Sequence, residues 1–244
     1  KKYTSQLTFI QKVKYDVGKK VYDIMIKNYS KCQWGEFYSE LPAELFKRIR
    51  VVDSFDDKFF DDKVQGIPIG GYTALVRKIL GHPNIFVTYN IKVEFDNLLN
   101  FATKNKVVIS TAPLDQMMDY EFGNLKYQRV NFYNMAGFGG QEFYSDDCKD
   151  VGVINIARSN SAFTRIVNYK RLAASDVGND IILAEKSGEG IAAYPVRTQK
   201  DIKLAEKYIN HMKKLGIIQA GRLGLFEYIN MDEAIYRAIE LAKS

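Results

Sequence analysis

The sequence is poor in the residues that hold metals and cross-links. Among 244 residues there are two cysteines, Cys32 and Cys148, and two histidines, His82 and His211. None stands at metal-ligand spacing, which sets a zinc site aside. So few cysteines in a chain of this length point to a reducing compartment, and a cytoplasmic location is expected. No apolar run approaches a membrane span and no signal-peptide pattern is present. No Ser-His-Asp triad or pair of catalytic acids is visible. The glycine-rich run Gly66-Ile67-Pro68-Ile69-Gly70-Gly71 is not G-x-G-x-x-G, and as a phosphate loop it is a weak signal.

What the chain has is a balance suited to a soluble globular protein, 46% hydrophobic and 26% charged residues. Its length allows a sizeable core, as one domain or two interlocked pieces. The net charge of +6 raises the question of nucleic acid. Much of the excess lies in Lys1, Lys2, Lys12, Lys14, Lys19, Lys20, Lys27 and Lys31, interleaved with apolar residues as on the solvated face of helices. No nucleic-acid signature accompanies it, so no nucleic-acid partner is expected. A polyanionic small molecule is another use for the charge. The 16 tyrosines and 15 phenylalanines suit ring stacking and a core equally. The chain opens without Met, inside what reads as a polar helix, and is expected to be part of a longer protein.

Taken in order, Asp16 is placed to cap a helix with Val17, Val21, Ile24, Met25 and Tyr29 on its apolar face, and Gly35 to end it. Pro42 suits the first turn of a short helix from Ala43 to Arg48. A helix with Leu75, Val76, Ile79 and Leu80 on one face stops at Gly81 and Pro83. Ile85–Tyr89 and Lys106–Thr111 read as strands, the second as a central one. From Tyr127 to Val196 short, turn-bounded β-rich runs predict antiparallel strands. Thr198 caps a helix bearing Ile202, Ala205, Tyr208, Ile209 and Met212. The close, beginning at Ile217, is a buried apolar strand, a glycine-rich turn carrying Arg222, and a helix capped by Asn230 with Glu233 completing a capping box.

The segments Ile26–Gly35, Glu40–Ala43, Phe46–Ile49, Phe55-Asp56-Asp57 and Gln65–Thr73 fall in a recognisable order. They continue with Ser110–Asp115, Asp119–Tyr127, Phe163–Ile166, Gly221-Arg222-Leu223 and Tyr228–Asp232. Together they resemble the UDP-galactopyranose mutase family over nearly all the chain, least so in 133–150 and 172–193. The resemblance is to the C-terminal portion, without the N-terminal FAD fingerprint. It implies an α/β fold with an antiparallel substrate-binding sheet, a helical subdomain and a partial FAD-linked Rossmann-like domain. The expected division is 1–64 for the end of the mobile helical domain and linker, 65–118 for part of the FAD-type domain, 119–196 for the substrate sheet, and 197–244 for the return.

The resemblance also implies a reaction. Reduced FAD attacks the anomeric carbon through its N5, displaces UDP and forms an adduct. The ring then opens and recloses, interconverting UDP-galactopyranose and UDP-galactofuranose for cell-surface polysaccharide. The flavin is the nucleophile, so no catalytic side chain is expected; the protein orients and supplies charge. Carried over by position, the substrate residues are Tyr29, Trp34, Arg48, Asn155, Arg165, Tyr194 and Tyr228. Arg48 and Arg165 match the two arginines on the diphosphate, and Trp34 the mobile loop. Gly221, Arg222 and Met231 match contacts to FAD. The partners implied are a UDP-sugar and, in a homodimer, a second copy. The chain departs from the pattern at Phe59, Asn168, Lys170, Gly190–Ala193 and Asn230, positions around the sugar more than the diphosphate. A non-catalytic nucleotide-sugar-binding relative is the alternative.

Overall fold

The computed structural model describes residues 7–48, 50–56, 60–103, 106–135, 151–172 and 181–244. Phe59 and the side chain of Arg48 lie outside the described residues. The chain forms two compact units, Lys1–Tyr89 with Val130–Ile191, and Asn90–Arg129 with Ala192–Ser244.

In the first unit, helix α1 (Phe9–Val21) starts from a capping box. The Thr8 hydroxyl accepts from Gln11 N–H and the Gln11 side chain accepts from Thr8 N–H. Asp16, expected to be the cap, lies inside α1 and pairs with Lys12. A π turn (Tyr22–Ile26) leads into α2 (Lys27–Trp34), which stops at Gly35 with φ 52°. The expected apolar face is not the buried one. Phe9, Val13 and Tyr22 are buried, whereas Val21, Ile24 and Met25 are exposed. The reason is a change of phase: Gly18 leaves the helical conformation (φ 79°, ψ 162°), and the π turn inserts a residue.

After Pro42 a 3-10 helix, Ala43–Arg48, sets the Phe46 ring edge-on to Phe9, 6.2 Å between centroids. Helix α3 (Gly71–Leu80) ends at Gly81 as expected, with Leu75, Val76 and Ile79 exposed. The strand expected over Ile85–Tyr89 is not formed, and Phe86 stands 93% exposed. Its β-rich composition finds no ladder partner among the described residues, and a lone strand leaves its backbone groups to water.

The antiparallel sheet does form. Strands β2 (Tyr127–Asn134), β3 (Val153–Asn155), β4 (Arg165–Asn168), β5 (Ile182–Ser187) and β6 (Ile191–Pro195) lie in the order β3-β4-β5-β2-β6. The chain passes between the two units within β2 and within β6. Register places Asn155 opposite Arg165, Arg165 opposite Glu185, and Glu185 opposite Phe132. These four make one row on one face. The period of two puts Ile166 on the other face, where it packs with Ile182, Ala184 and Phe163.

The second unit is built on helix α4 (Phe95–Ala102), strand β1 (Val108–Ser110) and the short helix α5 (Leu114–Met117). It continues with helix α7 (Gln199–Lys214), strand β7 (Ile217–Gln219), the one-turn helix α8 (Gly221–Gly224) and helix α9 (Met231–Lys243). Between them in sequence, α6 (Tyr169–Leu172) belongs to the first unit. Strands β1 and β7 pair in parallel, Val108 opposite Ile217 and Ser110 opposite Gln219. Ile109 and Ile218 are exposed, so β1 is not the doubly covered strand its apolar run predicts.

The core of this unit gathers Leu114, Met118, Leu125, Tyr208, Met212, Ile217 and Phe226. Thr198 caps α7, accepting from Asp201 N–H. Tyr208 reaches from α7 to the 119–123 turn: its hydroxyl donates to Gly123 O (2.7 Å) and accepts from Phe122 N–H (3.0 Å). Buried Asp115 accepts from Leu125 N–H (2.9 Å) and Gln116 N–H (3.0 Å). Burial pushes its pKa up against those two bonds. Asn230 takes the N-cap position of α9, but its side chain makes no capping bond, and Glu233 pairs with Arg237 instead. The expected capping box is absent because the arginine one turn on takes the carboxylate.

Candidate functional site

The residues singled out from the sequence fall into two clusters, one in each unit. In the first, Arg165 projects from β4 on the face that α2 covers, and α2 packs against β5. Arg165 Nη2 donates to the Tyr29 hydroxyl (2.8 Å), and its Nε lies 3.2 Å from Glu185 Oε2. Asn155, its neighbour across β3, completes the row. The Cys32 thiol, one turn along α2 from Tyr29, donates to Ser161 O in the loop before β4 (3.4 Å). Trp34, expected on a loop, is the last residue of α2 and is buried. The structure therefore brings Tyr29, Asn155 and Arg165 together; the placement of Arg48 is outside the described residues.

Glu185 went unnoticed in the sequence. It is 5% exposed, and burial pushes its pKa up while the Arg165 charge pulls it down. Its signal was slight: one acid closing the apolar run Ile181–Ala184. Tyr169, just past β4 in α6, feels both charges, and its phenol is pushed up mainly by burial. A guanidinium held on a sheet face by a carboxylate and a phenol is oriented before any ligand arrives. Its fixed charge and planar donor fork suit an anion.

The second cluster is aromatic. The Arg222 guanidinium lies 5.1 Å from the Tyr228 ring centroid and 5.7 Å from that of Tyr194. The two rings are 5.3 Å apart and tilted by 47°. Arg222 Nε donates to Ile229 O (2.9 Å), as does Nη2. These bonds curl the chain between α8 and α9, and they use part of the donor fork that was assigned to a cofactor. Gly221 has φ 73°, and Met231 opens α9 with its side chain exposed.

Beside Gly221 is a cavity of about 450 Å³ lined by Thr111, Gln219, Ile229, Ala234 and Ala238, mostly apolar. Gln219, 8% exposed, has neither amide atom hydrogen-bonded among the described residues. That is the chemistry of a site for a flat, largely apolar group with a donor-acceptor edge. The first turn of α9 carries Asp232 and Glu233, so its N–H groups suit a neutral acceptor better than a phosphate.

The chain is thus an α/β protein with an antiparallel sheet, an arginine held on the sheet face and a second arginine flanked by two tyrosines. Comparison with known proteins narrows this description. The family described as UDP-galactopyranose mutase matches residues 24–228. A probable UDP-galactopyranose mutase of Klebsiella pneumoniae is 30% identical over 241 residues, covering 96% of this chain and 60% of that protein. A dTDP-fucopyranose mutase of Escherichia coli is 32% identical over 237 residues, covering 93% and 61%. A crystal structure of reduced UDP-galactopyranose mutase matches with TM-score 0.66 at 16% identity, covering 100% of this chain and 69% of that one. At that identity the likeness shows the fold. The chain belongs to the UDP-galactopyranose mutase family, and it spans about three fifths of the length of these curated relatives.

Proposed function

We propose that the chain is the substrate-clamping and cofactor-returning part of a flavin-dependent nucleotide-sugar mutase. Its reaction interconverts UDP-galactopyranose and UDP-galactofuranose, for cell-surface polysaccharide. The observation that carries this reading is Arg165, fixed between Tyr29 and Glu185 on the sheet face within a chain of this family.

The leaving group of such a reaction is a nucleoside diphosphate, whose developing charge Arg165 would stabilise through guanidinium N–H groups. Arg48, at the end of its 3-10 helix, is assigned to the same diphosphate. Tyr29 and Trp34 would receive the nucleotide end, and Asn155 the diphosphate or sugar beside Arg165. In the second unit Tyr194 and Tyr228 would face the sugar and phosphates. Gly221, Arg222 and the first turn of α9 would hold FAD, with the Gln219 cavity supplying an apolar wall. When bound in its reduced form, the flavin supplies the nucleophile for the anomeric carbon. In the proposed arrangement residues 1–64 end the helical domain, 119–196 carry the substrate sheet, and 65–118 with 197–244 belong to the FAD-type, Rossmann-like part.

The dTDP-fucopyranose mutase is as similar to this chain as the UDP-galactopyranose mutase is. The test therefore includes both nucleotides. Calorimetry with UDP-galactose and with dTDP should give saturable binding to one or both. Arg165→Ala should weaken it at least about tenfold, the loss of a charge-assisted contact. Binding of neither, or an affinity unchanged in the variant, would overturn the assignment.

A further inference from the structure

Arg165 faces a carboxylate before any anion reaches it. Register sets Glu185 directly opposite the arginine, and the carboxylate is buried with Oε1 unpartnered among the described residues. The pair is therefore close to neutral before a ligand arrives. A diphosphate at Arg165 would add negative charge next to a carboxylate that water does not screen. Like charges in a poorly solvated place are relieved most readily by a proton.

Resting on the assignment of Arg165 to the diphosphate, we propose that Glu185 is a positioning residue for Arg165 and that anion binding there is coupled to uptake of a proton by Glu185.

The surroundings single out Glu185 as the acceptor. From β4, Arg165 is the charge acting on it. From α6, Tyr169 feels Glu185 and Arg165 with opposite effect, and its phenol is already held protonated. From α2, Tyr29 reaches the pair through Arg165. From β2, the cross-strand neighbour is Phe132, which brings no charge. Burial already raises the pKa of Glu185 above its ordinary 4.5, with Arg165 holding it down. Engaging Arg165 with an anion weakens that restraint and adds repulsion, so both changes push the same way.

The measurement is the proton stoichiometry of binding. UDP-galactose serves as the probe, because its diphosphate is esterified at both ends and does not itself titrate near neutrality. Calorimetry in buffers of different ionisation enthalpy, across a pH window that opens at the ordinary 4.5 and extends upward, should show uptake of a sizeable fraction of one proton per ligand somewhere in that window. Affinity should fall as pH rises through the titration. Glu185→Gln keeps the shape without the charge; it should abolish the uptake and flatten the affinity across the window. A purely structural role for Glu185 would not move the stoichiometry. Wild-type protein that binds with no proton uptake, or a variant with undiminished uptake, would overturn the inference while leaving the assignment of Arg165 standing. Failure of the wild type to bind would overturn both.

Discussion

The Tyr29 hydroxyl accepts a hydrogen bond from Arg165 Nη2 at 2.8 Å, joining residues 136 positions apart in sequence. Together with the Glu185 contact at 3.2 Å it fixes the guanidinium from two sides. Helix α2 thus sets the orientation of a side chain on β4. Tyr29→Phe should weaken nucleotide-sugar binding by a few-fold, equivalent to about 1 kcal/mol, with little change in melting temperature. Calorimetry and a thermal melt on the same sample check both parts.

Removing Arg165 should do more than remove a ligand contact. Arg165→Ala leaves Glu185 buried without its counter-charge, and stability should fall by about 2 kcal/mol. That is below the range for a fully buried pair, because the Arg165 side chain keeps 31% exposure. The double variant Arg165→Ala, Glu185→Gln should recover much of this loss in urea unfolding. It should not recover nucleotide-sugar binding. The cycle separates the structural part of the arginine from its part in binding.

The pH dependence of stability carries a definite sign. Burial raises the folded-state pKa of Glu185 above its ordinary 4.5, so the folded chain holds that proton more tightly than the unfolded chain does. The stability linked to it is complete below the unfolded value and is lost as pH rises through the folded one. Denaturant unfolding should therefore show wild type losing stability relative to Glu185→Gln as pH rises from about 4.5, with a constant difference above the folded value. Asp115, raised by burial as well, contributes in the same direction and is unchanged by the substitution.

Tyr208 anchors the 119–123 turn through both functions of its hydroxyl. Tyr208→Phe should cost about 1–2 kcal/mol, because half-buried Gly123 O and Phe122 N–H lose their partner together. Amide hydrogen exchange should quicken at Phe122 before it quickens in α7.

Gly224 lies against the end of β1, where an added Cβ would sit 2.9 Å from Ser110 O and 3.2 Å from Thr111 Cα. Both neighbours are backbone, so the strand itself must shift. Gly224→Ala should destabilise the second unit by about 1–3 kcal/mol, read as a lowered unfolding midpoint with unchanged far-UV circular dichroism.

What the sequence determined by itself was local or periodic. Gly35, Gly81 and Thr198 stop and start helices where their backbone or hydroxyl chemistry says they should, because a cap is decided within a few residues. The short, turn-bounded β-rich runs at β2, β3 and β4 were enough for antiparallel strands, and the order of motifs was enough for the family. Tertiary structure decided whatever needs a partner. Ile85–Tyr89 has strand composition but no neighbouring ladder among the described residues, and Val21, Ile24 and Met25 lost the buried face to Phe9, Val13 and Tyr22 when Gly18 and the π turn shifted the phase. Glu233 turned to Arg237 rather than closing a capping box. Above all, Glu185 meets Arg165 through cross-strand register, although the two are twenty positions apart in sequence. Charge, burial and proton affinity at that pair arise from which strand lies beside which, and no window along the chain contains that information.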